Sequence, residues 1–489
     1  MMQALFSNRS ATIIGAVVAG ICAILFGLTG QYLFLALPLG LLFFLLVIIN
    51  WKAAYWIFLF SIPVSIQLAF FGDTISTSVP DEPLMWLFLL LFVVMFAARP
   101  NMLPLWWWRN PFVLIILLQF IWLIVAVVFS QELFFSIKFL LAKCWFLISL
   151  FILPVFIFRR KQDFKRGFLL FLIPLLISMV IVMVRHAGMG FGFLLINKAI
   201  GILYFNRVDY ATIMSMFFPL VMIAIPLSKG MAPWWRVALV VILLFFLPAI
   251  WFAFARGAIM AVIFALVMGV AIRMKLGKLI MPLFYALVIF GVVFMARNNK
   301  YIDYRPDFEH TFTHFTLTDH LIATFRGTDM SSMERLYRWI AGARMSTDRP
   351  LTGYGPNSFY FYYKPYAVTS FRTYVSRNPE RSTTHNYFLF MLVEQGWPAM
   401  ILYAILIVVF FAQAQNTYHR FKDRFYKNVT LAVAMMFAAG FINNFFSELI
   451  ETHKVGALFY MSIALMMVLT QKSREEEKAL KAGEAPVLE

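Results

Sequence analysis

The chain is poor in charge and in cysteine. Only 13% of its 489 residues are Asp, Glu, Lys or Arg, against about 25% in soluble globular domains. Its two cysteines, Cys22 and Cys144, both fall inside apolar runs and have no metal-ligand spacing. That argues against a disulfide framework or a cysteine-based zinc site and leaves them as small core residues. There is no HExxH and no phosphate-binding P-loop, so zinc proteolysis and P-loop nucleotide chemistry have no sequence support. Acidic residues are scarce as well, 23 against 41 Lys and Arg, for a formal net charge of +18. This excess does not mark a nucleic-acid binder. Much of it sits in short loops between apolar runs, beside the place where anionic headgroups would lie. No internal repeat of fixed period is present.

What the chain has in abundance is apolar sequence, 62% of its residues. Runs such as ATIIGAVVAGICAILFGLTG (11–30), FVLIILLQFIWLIVAVVF (112–129) and VALVVILLFFLPAIWFAF (237–254) are long and nearly uncharged. About 20 such residues cross a bilayer as a helix. We therefore expect an all-α polytopic membrane protein with fourteen spans, twelve at the fewest. The expected spans are 11–29, 32–50, 54–71, 84–98, 112–129, 138–157, 167–184, 209–228, 236–254, 257–273, 279–296, 386–411, 428–446 and 455–471. The first is read as a retained helix, because its apolar run is a full span and carries no convincing small-residue cleavage site. The apolar but Gly-broken stretch 187–205 is read as re-entrant or interfacial.

Loop charge orients these spans. FRRKQDFKRG (158–167) holds five basic residues, RMKLGK (273–278) three and YHRFKDRFYK (418–427) four, all on one side. Lys and Arg in short loops mark the cytoplasmic face, and an even span count then puts both termini there. The chain divides into eleven helices over 1–296, a large outer loop over 297–384, returning helices over 385–471 and a tail over 472–489.

The loop carries ten Arg and only two Lys. Arginine presents a planar fork that pairs with phosphate in two bonds at once, whereas lysine acts as a point charge. A solvated basic surface and an anionic-ligand site are both compatible with that composition. In SSMERLYRWIAGARM (331–345), Ser331 and Glu334 have capping-box spacing, which predicts a helix start. Arg335 and Arg338 then share one face, with Leu336, Ile340 and Ala343 opposite. In DRPLTGYGPNSFYFYY (348–363), Gly353 and Gly355 permit positive φ and close backbone approach to a ligand. The aromatic cluster Phe359–Tyr363 suits a membrane interface or a sugar-stacking surface. His310 and His314 are four apart, but their Thr-rich context disfavours a metal-binding helix.

Ionisable residues within or beside spans usually face a partner or a cavity. Arg256 lies in a tight turn between two apolar runs. Lys143 lies deeper than Lys138, which can snorkel. Arg207 opens a span that Asp209 is expected to cap. Asn443, Asn444 and Glu448 read as interhelical hydrogen-bonding residues. Arg207, Arg256, Arg335, Arg338 and His385 all fall on the outer face.

In chain order these are an Ala-Arg-Gly-Ala turn (255–258), RLYRWIAGARMSTDRPLTGYGPNSF (335–359) and THNYFLFMLVEQGWPA (384–399). In that order the chain is similar to the O-antigen ligase/polymerase superfamily of bacterial envelope glycosyltransferases. The similarity covers residues 200–400 well and the earlier spans by topology alone. Two departures are Ala255, where the family commonly has Ser, and Gly396-Trp397-Pro398-Ala399, where it often has Gly-x-x-Gly.

The resemblance implies a GT-C-like membrane glycosyltransferase in the bacterial inner membrane, with its site facing the periplasm. It implies a glycan donor on undecaprenyl diphosphate and an acceptor that is a glycan or lipid A–core, with no cofactor, required metal or nucleic acid. Polysaccharide-assembly proteins are further partners it suggests. It carries His385 over as catalytic base, and Arg256 and Arg335 as diphosphate ligands. Arg338, Arg207 and Lys143 join that cationic set. Tyr354, Gly355, Asn357 and Asn386 are the expected substrate-loop residues, and Glu394 a supporting one. Polymerase is preferred narrowly over ligase. The chemistry is coherent, since transfer to a hydroxyl needs a base within reach and a departing diphosphate needs fixed positive charge. A transporter of lipid-linked oligosaccharide is the competing class, but it predicts charges along a transbilayer path and internal repeats.

Overall fold

The computed structural model describes residues 9–30, 33–70, 75–302, 322, 330–367 and 383–482. His310, His314 and His320 lie outside the described residues. The main helices are α1 (Arg9–Thr29), α2 (Leu33–Ser61), α3 (Asp81–Ala98), α4 (Pro111–Val128), α5 (Leu133–Leu147), α6 (Lys161–Gly188) and α7 (Arg207–Leu227). They continue as α8 (Pro233–Trp251), α9 (Arg256–Arg273), α10 (Gly277–Ala296), α11 (Met330–Asp348), α12 (Tyr387–Arg420), α13 (Arg424–Phe445) and α14 (His453–Lys481). Apart from one two-stranded hairpin, no sheet occurs among the described residues.

Twelve helical stretches among the described residues are long and apolar enough to cross a membrane. The multispan helical class is as expected, but the count of fourteen is not reached. The predicted second and third spans form one helix, α2. Its break at Asn50 (φ −150°, ψ 75°) is only local, because the Asn50 side chain accepts from the Ala53 amide at 3.1 Å and restarts the helix. The rest of the predicted third span leaves the helix. Ile66–Phe70 (β1) pairs antiparallel with Ile75–Val79 (β2), Ile66 opposite Val79. Ile75, Thr77 and Val79 are β-branched, the residue type enriched in strands. Helix α1, apolar over Gly20–Thr29, is additional to the twelve. The 187–205 stretch is a short irregular connection, with Gly190 and Gly201 at positive φ.

The last two helices form the centre. The apolar windows of α13 and α14 are 78% and 94% buried, against 6% for α10. Lipid tails offer no hydrophobic drive between helices, so close packing and polar contacts hold them. Phe410 stacks on Phe437, and Phe437 on Phe459. Asn443 in α13 donates to Ser215 in α7 at 2.8 Å, the interhelical role expected of it. The tail expected from residue 472 is helical to Lys481. Glu476 there accepts from the Lys422 and Asp423 amides at 3.0 and 2.9 Å and closes the α12–α13 turn.

Helix α12 is interrupted two turns in. Gly396 has φ +80° and ψ 179°, open to glycine but strained for any other residue. A Cβ there would also run into the Leu351 carbonyl oxygen. Gly396→Ala should lower the melting temperature of the purified protein by several degrees, a cost of about 2 kcal/mol or more. Gly291→Ala is the control, because its Cβ would meet nothing within 4 Å. Equal melting of the two variants would contradict this account.

Candidate functional site

The large loop is seated in the break of α12. The Tyr354 and Gly355 amides donate to the Val393 and Glu394 carbonyls, both at 2.9 Å, and the Trp397 amide donates to the Pro350 carbonyl at 2.9 Å. The Glu394 carboxylate is fully buried and accepts from the amides of Asn357 (2.7 Å) and Phe359 (3.3 Å). From the other side the Gln131 amide donates to Tyr354 O at 2.9 Å, and Ser136 Oγ donates to Pro356 O at 2.8 Å.

These contacts correct several expectations. Gly353 and Gly355 bring backbone close to the chain's own α12 and to Ser130. Tyr354, Gly355 and Asn357 are occupied in docking the loop. Their neighbours Phe359 and Tyr363 stack on each other and pack with Met345 and Val393 into a small core. The aromatic cluster therefore faces the protein more than the interface, with Phe361 remaining exposed.

Helix α11 is anchored by this docking. Its buried face carries Arg338, Ala341, Gly342 and Met345, whereas Ala343 is exposed, which reverses the expected apolar side. Gly342 lies against Val393 and Thr384, so the arginine face is pressed onto the start of α12. Ser331 lies inside the helix, which already includes Met330. Trp339 rests edge-on to Phe445 at the end of α13.

His385 sits just before α12. Its φ of +51° is uncommon outside glycine. Asn386 fixes that turn by accepting from the Phe388 and Leu389 amides at 2.9 and 3.1 Å and donating to the Phe445 carbonyl at 3.0 Å. Asn386 is therefore a helix cap as well as a site neighbour. His385 Nδ1 stands 3.6 Å from Glu448 Oε2, beyond hydrogen-bond range but close enough to orient the ring. That oxygen is buried with no hydrogen-bond partner among the described residues. Arg338, 5% exposed, donates to the Thr383 carbonyl at 3.3 Å. Burial, then the positive charges of Arg335 and Arg338, hold the His385 pKa well below its ordinary value. Burial pushes the Glu448 carboxyl up, opposed by nearby Thr383 and by the same two arginines.

Arg256 begins α9, and Gly257 beside it faces Asn443 in the last turn of α13. Asn386, beside His385, bonds to Phe445 in that same turn. The neighbours of Arg256 and of His385 thus meet one helix end. Arg207 donates to the Phe254 carbonyl at 3.3 Å and lies over the Phe193 ring, which ties it to the turn preceding Arg256. The α7 cap is Asn206, not Asp209; Asp209 is buried and accepts from Thr452 at 3.2 Å.

Lys143 is engaged elsewhere. Its ammonium donates to both Glu451 oxygens at 2.8 Å and to Tyr460 OH at 3.0 Å, and Tyr387 OH donates to Glu451 at 2.5 Å. A buried, satisfied ion pair of this kind is costly to break, so Lys143 is spent on the protein. The sequence reading passed over Glu448 and Glu451 as site residues. Their signal was position, two carboxylates in the short turn between the last two helices.

The class defined here is a multi-pass membrane protein with a histidine, a carboxylate and arginines gathered at one end of its helices, beneath a docked loop. Residues 238–404, about a third of the chain, match the family model described as O-antigen ligase. That match supports a relation of this region to the O-antigen ligase/polymerase superfamily, whose members are glycosyltransferase-like enzymes with lipid-linked glycan substrates in membranes. It includes Arg256, Arg335, Arg338, His385 and Glu394, but not Arg207, Lys143 or Glu448. No curated protein matches the chain.

A base works above its pKa, so a depressed His385 pKa keeps the imidazole neutral down to lower pH. The acid limb of a pH–rate profile should therefore fall below about 6.5, the unperturbed value. Arg338→Gln removes one positive neighbour and should move that limb upward. A limb that stays in place would show that the Arg338 charge does not reach the ring.

Proposed function

We propose that the protein transfers a glycan from undecaprenyl diphosphate to an acceptor hydroxyl at the periplasmic face of the bacterial inner membrane. The observation that carries this reading is the His385 imidazole held beside Glu448, Arg335 and Arg338. With Nδ1 turned toward Glu448, the other ring nitrogen is left to take the acceptor's proton. The acceptor oxygen then bonds to the anomeric carbon as the bond from that carbon to the diphosphate oxygen breaks. Charge develops on the departing diphosphate, and fixed guanidinium groups in a site of low dielectric stabilise it well. Arg335 and Arg338 fill that role from α11, and Arg256 from the α8–α9 turn. In this scheme the guanidinium groups replace a required divalent cation.

The acceptor is read as a growing glycan, so the product is a polysaccharide. A ligase to lipid A–core is the second reading, favoured by the description of the matching family. Incubating the purified protein with a defined undecaprenyl-diphosphate oligosaccharide, with and without lipid A–core, separates the two. Chain lengthening alone means polymerase, and modified core means ligase.

His385→Ala should reduce transfer by about 100-fold or more, and Arg256→Ala by about 100-fold, both with normal membrane insertion. Full activity in both variants would overturn the assignment. EDTA should leave the wild-type rate unchanged, and a loss restored by added Mg²⁺ would remove the arginines' proposed role as metal substitute.

A further inference from the structure

At the end of the bundle opposite the docked loop lies a large apolar cleft that the proposed reaction does not use. It has a volume of about 210 Å³ and opens between α6, α7, α13 and α14, with α8 at its edge. Phe168, Phe217, Ala224, Ala432, Met436 and Leu465 represent its lining, and no carboxylate contributes to it. Water would find almost no partners along such walls, and a cavity keeps water only where polar groups hold it.

The mouth of the cleft is basic. Lys165 lines it and lies over the Phe425 ring. Exposed Lys229 falls between Ser228 and Met231, and exposed Arg236 follows Trp235; Ser228, Met231 and Trp235 are all lining residues. The nearby Lys161 is already paired with Asp423 at 2.6 Å. An alkyl-shaped hole beneath separate cations matches a molecule with a hydrocarbon chain and an anionic head. Basic residues at a membrane surface attract such heads.

We propose that this cleft binds one acyl chain of an anionic phospholipid from the leaflet at the basic end, with Lys165, Lys229 and Arg236 receiving its phosphate. The lipid wedges between α6 and the central pair α13–α14. It is separate from the loop-end site, so the proposal stands or falls independently of the glycan-transfer reading.

Native mass spectrometry of the full chain in detergent, titrated with phosphatidylglycerol or with phosphatidylcholine of the same acyl chains, tests this. The first phosphatidylglycerol should bind about 10-fold more tightly than the first phosphatidylcholine, a difference of about 1.4 kcal/mol. Ala224→Phe fills the cleft and should abolish that first tight step. The exposed pair Lys165→Glu/Lys229→Glu leaves the core untouched, and should erase the preference while weak binding of both lipids persists. Equal affinity for the two lipids in the wild type would overturn the proposal. So would an unchanged first step in Ala224→Phe or in the charge-reversed pair.

Discussion

Everything at the loop end depends on one backbone break. Helix α12 gives up its regular hydrogen bonding at Gly396, and the freed groups are taken up by the segment 350–359. Trp397 reaches Pro350, while Tyr354 and Gly355 reach Val393 and Glu394. Inside a membrane every backbone polar group needs a partner, and irregular backbone survives there only when buried in protein. The break and the docked loop are therefore one feature. Each satisfies what the other leaves open, and Glu394 completes the exchange by accepting two loop amides.

That seat sets the position of α11, and α11 sets the electrostatics. A helix of mixed polarity could face its arginines to water. Here Gly342 against Val393 and Thr384 turns Arg338 inward, where it meets the carbonyl preceding the α12 entry turn. The result is a histidine with positive charge on one side and Glu448 on another. Its low pKa has a physical source in burial and in those neighbours. The carboxylates of the α13–α14 turn divide their work. Glu448 faces His385, while Glu451 neutralises Lys143 with help from Tyr387 and Tyr460. Lys454, at the start of α14, is buried, donating to the Pro63 and Leu203 carbonyls and stacked on Tyr204. The seven-residue connection 446–452 and the first turn of α14 thus carry three separate charge arrangements.

Much of this could be read from the chain before folding, because membrane insertion is governed by local composition. Long uncharged runs gave the helical class, and spacing gave a helix near 331–345 with Arg335 and Arg338 on one face. The misreadings each concern which group a residue meets. Asn50 looks like a span boundary but caps the continuation of its own helix. Gly353 and Gly355 look like a ligand loop but approach α12. Lys143 looks like a phosphate ligand but has Glu451. The glycines and Lys143 have partners more than a helix away in sequence, whereas the partner of Asn50 is only three positions on.

The sequence by itself determined that the chain enters a membrane, that its arginines concentrate in one loop, and that His385 stands at the mouth of a helix. Hydropathy, charge and helical period are properties of neighbouring residues, so these conclusions needed no fold. Only tertiary structure decided which side of α11 is buried, which carboxylate faces His385 and which cation is already neutralised. Those outcomes depend on contacts between residues such as Lys143 and Glu451, which are 308 positions apart. Local pattern does not encode a pairing over that separation; close packing of the helices does.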